Sequence, residues 1–97
     1  MANTETPTLK NLQAAFNGES NARAKYLAFA QAADAEGYAG VASLFRAAAQ
    51  AEEFHARNHA EVIRKLGGTP NADIHTPTPQ STRDNLRAAI AGETYER

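Results

Sequence analysis

The sequence predicts an all-α fold, a four-helix bundle of which these 97 residues supply two long helices and the start of a third. Long alanine-rich segments without proline place apolar residues at three- and four-residue steps, which is the spacing of amphipathic helices. In addition, residues 85–94 repeat residues 11–20, with identity at six positions and a glutamate directly after a glycine in both copies. Such internal repetition indicates two related helical hairpins, each opening with a helix that carries an acid.

Glycines mark the C-terminal ends of the two long helices. The first covers residues 9–36, and Gly37 is a natural C-terminal stop because glycine tolerates a left-handed backbone. The second covers residues 38–66 and ends at Gly67 and Gly68. Because so few residues connect them, the two helices are expected to lie side by side and antiparallel.

A long crossover is expected between this hairpin and the third helix. Residues 67–81 contain three prolines and cannot form a helix, and the segment is long enough to cross a bundle. The third helix is predicted over residues 82–97, with Ser81 as its N-cap and Asp84 near the positive end of its dipole. Residues 1–97 therefore form one partial domain.

The composition excludes several classes of function. The net charge is -1 and the lysines and arginines form no block, which argues against binding to nucleic acid or an anionic membrane. There is no cysteine, so disulfides, thiolate metal sites and cysteine-based catalysis are excluded, and a cytoplasmic location is expected. No apolar run approaches the length of a transmembrane helix. A chain this short buries a modest core, so association with another chain is expected.

Polar residues interrupt the apolar stripe of both long helices. On the first helix the stripe consists of Leu12, Phe16, Glu19, Arg23, Tyr26, Ala30 and Ala33. On the second helix it consists of Val41, Leu44, Phe45, Ala48, Glu52, His55, His59, Val62, Ile63 and Leu66. Glu19, Glu52 and His55 are therefore expected on buried faces, whereas Glu53 and Arg57 point away and are expected to be solvated.

The polar residues on these stripes predict a metal site. An ionised carboxylate is costly to bury unless it is paired or bound to a metal. Glu52 and His55 lie three residues apart, so both side chains project from one face and can reach the same ion. Inward Glu-x-x-His pairs, joined by glutamates from neighbouring helices, form the di-iron sites of ferritin-like bundles. Oxygen and imidazole donors suit iron or manganese, and the absence of sulfur argues against a structural zinc site.

Interpretations without a metal stay open at this point. Glu19 can form a salt bridge with Arg23 one turn later, and His55 can be a core histidine that is hydrogen-bonded to Glu52. The metal interpretation is favoured because the three polar residues share the inward faces and the repeat supplies a further acid. His59 is predicted to be a histidine that is buried or that contacts a ligand residue, without binding the metal itself.

Three segments together resemble the rubrerythrin family. Residues 11–26 are similar to its first helix, residues 51–55 to its Glu-x-x-His helix, and residues 92–96 to the start of its third helix, where two glutamates three residues apart are ligands. The resemblance covers nearly the whole chain after residue 8. It implies a ferritin-like four-helix bundle with two long antiparallel helices, a long crossover and the start of a third helix.

By this resemblance the metal ligands are Glu19, Glu52, His55, Glu93 and Glu96. Glu52 and Glu93 would each bridge two iron ions, for which manganese or another divalent metal can substitute. Glu96 is the position at which family members exchange a glutamate for a histidine when the redox state changes. The resemblance implies a non-haem di-iron peroxidase that reduces hydrogen peroxide to water, and it implies no catalytic residue beyond the metal ligands.

Two parts of the family pattern are absent from the sequence. The fourth helix with its second Glu-x-x-His pair is missing, and there is no Cys-x-x-Cys pair for a rubredoxin centre. An external electron donor, rubredoxin-like or other, is therefore expected. The chain is expected to be a fragment of a longer protein, a natural half-length protein, or one of two companion chains. In each case a dimer, a larger homo-oligomer or a companion C-terminal half is expected to complete the bundle.

Two alternative functions stay open. The protein can be a ferroxidase or an iron-binding ferritin-like protein, or it can be a metal-free helical module that serves oligomerisation. Metal content separates the last alternative from the others. The relative rates at which hydrogen peroxide and dioxygen oxidise the ferrous form separate a peroxidase from a ferroxidase.

Overall fold

The computed structural model describes the backbone of residues 7–95 and the side chains of residues 7–92. Within these residues all regular secondary structure is helical, and the all-α prediction is confirmed. The helices are α1 (Pro7–Ala35), α2 (Ala39–Lys65) and α3 (Thr82–Tyr95). Their described ends lie within two residues of the predicted ones. Residues 96 and 97, which were predicted to continue the third helix, lie outside the described residues.

Glycines end the two long helices in the same way. At the end of α1, Gly37 has a φ of 87°. The N–H groups of Gly37 and Tyr38 donate to the carbonyls of Asp34 (3.0 Å) and Ala33 (2.8 Å). This pair of bonds is the Schellman motif, in which a residue in the left-handed region allows the last carbonyls of a helix to be satisfied. The same pair forms at the end of α2 around Gly67, so both predicted stops are confirmed.

Small residues and three aromatic rings form the core between α1 and α2. The buried apolar residues are Leu9, Ala22, Tyr26, Phe29, Ala30 and Ala33 on α1, and Ala42, Phe45, Ala49, Ala56, Ala60 and Ile63 on α2. The ring of Phe45 stacks on Tyr26 at a centroid distance of 6.2 Å and meets Phe29 edge-on at 5.4 Å. Alanine side chains allow the helix axes to approach closely, because the distance between packed helices depends on the side chains at the contact.

The contact face of α2 is rotated relative to the predicted stripe. Leu44, Val62 and Leu66 were predicted on this stripe, but they are 68%, 41% and 48% exposed. Four alanines together with Phe45 and Ile63 face α1 instead, and Leu44, Val62 and Leu66 lie outside this contact. The prediction that Arg23 lies on the buried stripe of α1 is also wrong. Its long side chain extends to the surface, where it pairs with Glu53.

Side-chain amides of α1 bind the crossover that follows α2. Gln13, Asn17 and Asn21 lie four residues apart on α1, so they share one face. Their hydrogen bonds, at 2.6–3.2 Å, join Gln13 to the backbone of Thr69 and Asn71, Asn17 to Asp73, and Asn21 to Asp73 and His75. We call this set of bonds the amide ladder. Since residues 68–81 contain no helix, the predicted crossover is confirmed, and it runs along α1.

The third helix begins beside the end of α1. Ser81 Oγ accepts a hydrogen bond from the N–H of Asp84 at 3.2 Å, so the predicted N-cap is confirmed. The carboxylate oxygens of Glu36 accept from the N–H of Thr82 at 3.1 and 3.2 Å. This contact places a negative charge at the positive end of the α3 dipole. From there α3 runs antiparallel to α1, so that Gly92 of α3 lies beside Lys25 of α1.

Large apolar side chains remain exposed on the described helices. Leu44 is 68% exposed, and Phe54 and Ile90 are each 64% exposed. Leu44 and Ile90 line a groove of about 300 Å³ between α2 and α3, together with Tyr26 and Phe45. This surface is available for a further helix. None of the described helices has an apolar stretch with the length and hydropathy that spanning a bilayer requires.

Candidate metal centre

Glu19 lies in the middle of α1 and faces α2. Its side chain is 21% exposed. Its Oε1 atom is buried, and it makes no hydrogen bond with the described residues. Gly18, directly before it, has no atom within 4 Å of the position that a Cβ would occupy, so this turn of α1 is not tightly packed. Glu19 therefore presents an unsatisfied acceptor to the neighbouring helix.

Glu52 and His55 approach Glu19 from adjacent turns of α2. Glu52 is buried at 9% exposure, whereas the His55 side chain is 55% exposed. One potential ligand atom from each of the three residues lies within 4.8 Å of the other two. The three-residue spacing on α2 produces this convergence, because it places both side chains on one face. The structure thus brings together three of the residues predicted as metal ligands, and their binding of a metal stays a prediction.

The charged residues outside this cluster form a separate set of ion pairs. Glu53 accepts hydrogen bonds from Arg23 Nε and Arg57 Nη2, each at 3.0 Å. All three side chains are at least 40% exposed, so Glu53 and Arg57 are solvated as predicted. Because Arg23 pairs with Glu53 across the helix interface, the alternative salt bridge between Arg23 and Glu19 does not form. Glu19 is left with the histidines of α2 as its neighbours.

His59 also contacts Glu19, in agreement with the prediction that it contacts a ligand residue. Its Nε2 lies 3.2 Å from Glu19 Oε1, and its side chain is 33% exposed. On the other side of the carboxylate, His55 Nδ1 lies 3.6 Å from Oε2. His59 was predicted to be buried or to contact a ligand residue, and it is half-buried and contacts Glu19. The sequence signal for this contact is the four-residue spacing of the two histidines, which places both rings on one face of α2.

Of the two remaining predicted ligands, Glu93 lies in the second copy of the repeat and Glu96 lies two residues after it. The backbone of Glu93 is in α3, directly after Gly92, which approaches Lys25 of α1. Because α3 is antiparallel to α1, it runs from Lys25 toward the turn that carries Glu19. The side chain of Glu93 and the whole of Glu96 lie outside the described residues.

A family model described as rubrerythrin matches residues 10–97. The chain is 42% identical over 90 residues to nigerythrin of Nitratidesulfovibrio vulgaris, an alignment that covers 92% of this chain and 45% of that protein. It is 41% identical over 91 residues to rubrerythrin of Porphyromonas gingivalis, with 92% and 44% covered.

A third relative comes from an archaeon. The putative rubrerythrin of Methanocaldococcus jannaschii is 37% identical over 98 residues, with 92% of this chain and 48% of that protein covered. The chain therefore spans a little less than half the length of these relatives. No solved structure matches it significantly.

Proposed function

The chain belongs to the rubrerythrin family, and on that premise we propose that it contributes ligands to a non-haem di-iron centre that reduces hydrogen peroxide to water. The observation that carries the proposal is the convergence of Glu19, Glu52 and His55 between α1 and α2. These residues come from two helices that the sequence predicts to be parts of a ferritin-like bundle. Di-iron centres of such bundles use glutamates and Glu-x-x-His pairs that project inward.

The residues present fit a pair of iron ions. Oxygen and imidazole donors suit iron or manganese, and these 97 residues contain no thiolate that would favour a softer metal. Glu19 Oε1 is buried, and its nearest polar neighbour is His59 Nε2 at 3.2 Å. A buried carboxylate oxygen in such surroundings is suited to a bound cation. When bound, two irons supply the two electrons that the reduction of one peroxide molecule consumes.

The roles that we propose for the protein residues follow from their positions. Glu52, the most buried of the converging groups, is suited to lie between two metal ions. By the family resemblance, Glu93 would do the same. His55 would hold one metal through Nδ1, the ring nitrogen that points toward Glu19. Since the His55 side chain is 55% exposed, this side of the site stays accessible to a small oxidant.

The overall reaction requires a source of electrons. One hydrogen peroxide, two electrons and two protons give two molecules of water. These 97 residues contain no cysteine and so no rubredoxin-type iron site. The electrons therefore have to come from outside this part of the chain. We propose that a rubredoxin-like or other redox protein supplies them.

Stopped-flow mixing of the ferrous protein with each oxidant tests this function. We expect hydrogen peroxide to oxidise the protein much faster than dioxygen does. By the family resemblance, Glu96 adds a carboxylate that crowds the open position, so Glu96→Ala should shift the preference toward dioxygen. Glu93→Ala should lose the metal altogether. Equal rates with both oxidants, or an unchanged ratio in Glu96→Ala, would make a ferroxidase the better assignment.

A further inference from the structure

Three arginines line a groove of about 300 Å³ between α1 and α2. Its charged residues are Arg23 of α1 and Glu53, Arg57 and Arg64 of α2. Its apolar residues include the half-buried Phe16 and two buried alanines. We call it the arginine groove. Apolar residues at the centre with charged residues at the rim, arginine and aromatic rings among them, are typical of surfaces that bind another protein.

The charge of the arginine groove differs from that of the rest of the chain. Three arginines and one glutamate give its lining a formal charge of +2. The remaining residues contain seven lysines and arginines and ten acids, so they carry a formal charge of -3. A positive groove attracts an acidic partner and raises the rate at which the two proteins associate.

Glu53 orients two of the arginines and leaves them able to bind a partner. Its Oε1 accepts a hydrogen bond from Arg23 Nε and its Oε2 accepts one from Arg57 Nη2, each at 3.0 Å. A guanidinium has five N–H donors, so both arginines keep donors for the carboxylates of a partner. Arg64 is exposed and forms no ion pair within residues 7–92, so its guanidinium is available as well.

The arginine groove lies directly behind the candidate metal centre. Each of the three converging residues is followed in the sequence by a residue that lines the groove, namely Ser20 after Glu19, Glu53 after Glu52, and Ala56 after His55. Successive residues of an α-helix are about 100° apart, so the groove and the metal centre use neighbouring faces of the same helical turns. A helix is about 10–12 Å across, so a partner in the groove lies about one helix diameter from the metal ligands.

A helix that covers the groove between α2 and α3 leaves the arginine groove open. Among the described residues, none lines both grooves. The side chains of Arg23 and Arg57 are 44% and 76% exposed. The arginine groove is therefore accessible to a separate protein when the bundle is complete.

We infer that the arginine groove is the docking surface for an acidic redox protein that delivers electrons to the metal centre. This inference rests on the proposed function, which requires electrons from outside this part of the chain. Each reduced donor molecule is oxidised by one electron, so two encounters supply the two electrons that one peroxide molecule consumes. The carboxylates of the donor pair with the arginines, and its redox group then lies across one helix from Glu52 and His55.

Stopped-flow reduction of the oxidised, iron-loaded and fully assembled protein tests the docking surface, with a reduced rubredoxin of negative net charge as the probe. Arg57→Glu combined with Arg64→Glu should slow the second-order reduction at least about tenfold at low ionic strength, the lower end of the effect of electrostatic steering. Added salt should reduce this difference, because it screens exposed charges.

Arg83→Glu combined with Arg87→Glu is the matched control. Both residues are exposed on α3, and this double variant changes the net charge by the same amount. Its rate of reduction should stay within about twofold of the parent rate, because steering depends on charges near the docking surface. Circular dichroism identifies any variant that fails to fold. Arg64→Glu alone disrupts no ion pair among the described residues, and it should still slow the reduction roughly threefold.

Surface plasmon resonance measures binding of the rubredoxin without any turnover, so it separates this inference from the proposed function. Failure of the ferrous protein to react with hydrogen peroxide would remove the peroxidase and leave the binding result intact. Equal slowing in both double variants, an unchanged rate in the groove variant, or no binding of the rubredoxin to the parent protein would overturn the docking surface. Binding of phosphatidylserine vesicles instead, with the same dependence on Arg57 and Arg64, would also overturn it.

Discussion

At the scale of single residues, Glu19 is the group on which the candidate chemistry depends. It meets Glu52 and His55 in one set of potential ligands, and His59 Nε2 lies 3.2 Å from its Oε1. Its carboxylate is mostly buried, and one of its oxygens has no hydrogen bond. A carboxylate in such surroundings is stabilised by a cation, so metal binding is also expected to stabilise the fold.

Removal of single ligands should separate metal binding from folding. We expect Glu52→Ala and His55→Ala each to abolish stoichiometric iron binding, measured by metal analysis after anaerobic loading, while circular dichroism shows almost unchanged helix content. For His55 the reason is exposure, because truncation of an exposed side chain usually changes the free energy of unfolding by less than about 0.5 kcal/mol.

Glu53→Ala is the matched control for this prediction. Glu53 lies beside Glu52 in the sequence, but its ion pairs are on the surface, where such pairs contribute about 0–1 kcal/mol. The variant should therefore bind iron like the parent chain. Equal iron loss in Glu53→Ala and Glu52→Ala would show that the assignment of inner and outer faces is wrong.

The sequence predicted correctly which side chains meet, but it did not predict how exposed each of them is. Helical spacing was sufficient to place Glu19, Glu52 and His55 on facing sides. Spacing does not report how far a side chain extends, so the surface position of Arg23 and the partial exposure of His55 were not predicted. The long side chain of Arg23 reaches the surface of the hairpin, and the exposure of His55 follows from the rotation of α2 about its axis.

At the scale of elements, the amide ladder is the contact that joins the crossover to the hairpin. Successive amides on α1 are four residues apart, which corresponds to about 6 Å along a helix axis. Two residues of extended chain cover about 6.6 Å. Because these distances nearly agree, alternate residues of the crossover meet successive amides of α1. The backbone N–H and C=O groups of this irregular segment thereby gain hydrogen-bond partners.

Asn21→Ala should loosen the crossover while leaving α1 intact. Asn21 accepts a hydrogen bond from the N–H of His75 and donates one to the carbonyl of Asp73. Two such bonds are worth about 1–3 kcal/mol, and about 1.4 kcal/mol corresponds to a factor of ten. We therefore expect about tenfold faster hydrogen exchange at the amides of Asp73 and His75.

A local measurement is needed here, because alanine also raises the helix propensity of α1 and can hide the effect on global stability. Gln31→Ala is the control, since Gln31 is exposed on α1 and lies beyond the ladder. If exchange at Asp73 and His75 is the same in both variants, the ladder does not hold the crossover in solution.

The ends of the elements were predictable because local residues determine them. A left-handed glycine ends each long helix, and the Ser81 hydroxyl caps α3. The amide ladder was not predicted, although its three amides have a regular spacing. Its partners are backbone groups more than fifty residues away. Every residue carries the same backbone groups, so residue types do not identify such partners.

At the scale of the whole molecule, the described helices form an elongated body of 55 × 22 × 20 Å with an uncovered apolar side. Monomeric proteins rarely expose continuous apolar patches larger than a few hundred Å². The groove between α2 and α3 lies on this side. The internal repeat suggests that a helix related to α2 is a suitable occupant, because α3 begins with the sequence that pairs with α2 in the first half.

We expect the 97-residue chain by itself to form a dimer or a larger oligomer through this side. Leu44→Glu combined with Ile90→Glu should shift it toward the monomer, because both substitutions place a charge in the groove. Multi-angle light scattering across a range of concentrations measures the change. A stable, folded monomer of the parent chain at all concentrations would contradict the expectation.

The amide ladder also has a consequence for chain length. It binds the crossover at residues 69–75, and the contact between Glu36 and Thr82 fixes the next anchored point. Inserting or deleting one residue within 69–75 would put the wrong backbone groups opposite the amides of α1. Residues 76–80 lie between the two anchored points. Natural and engineered length changes should therefore be tolerated there and not within the ladder.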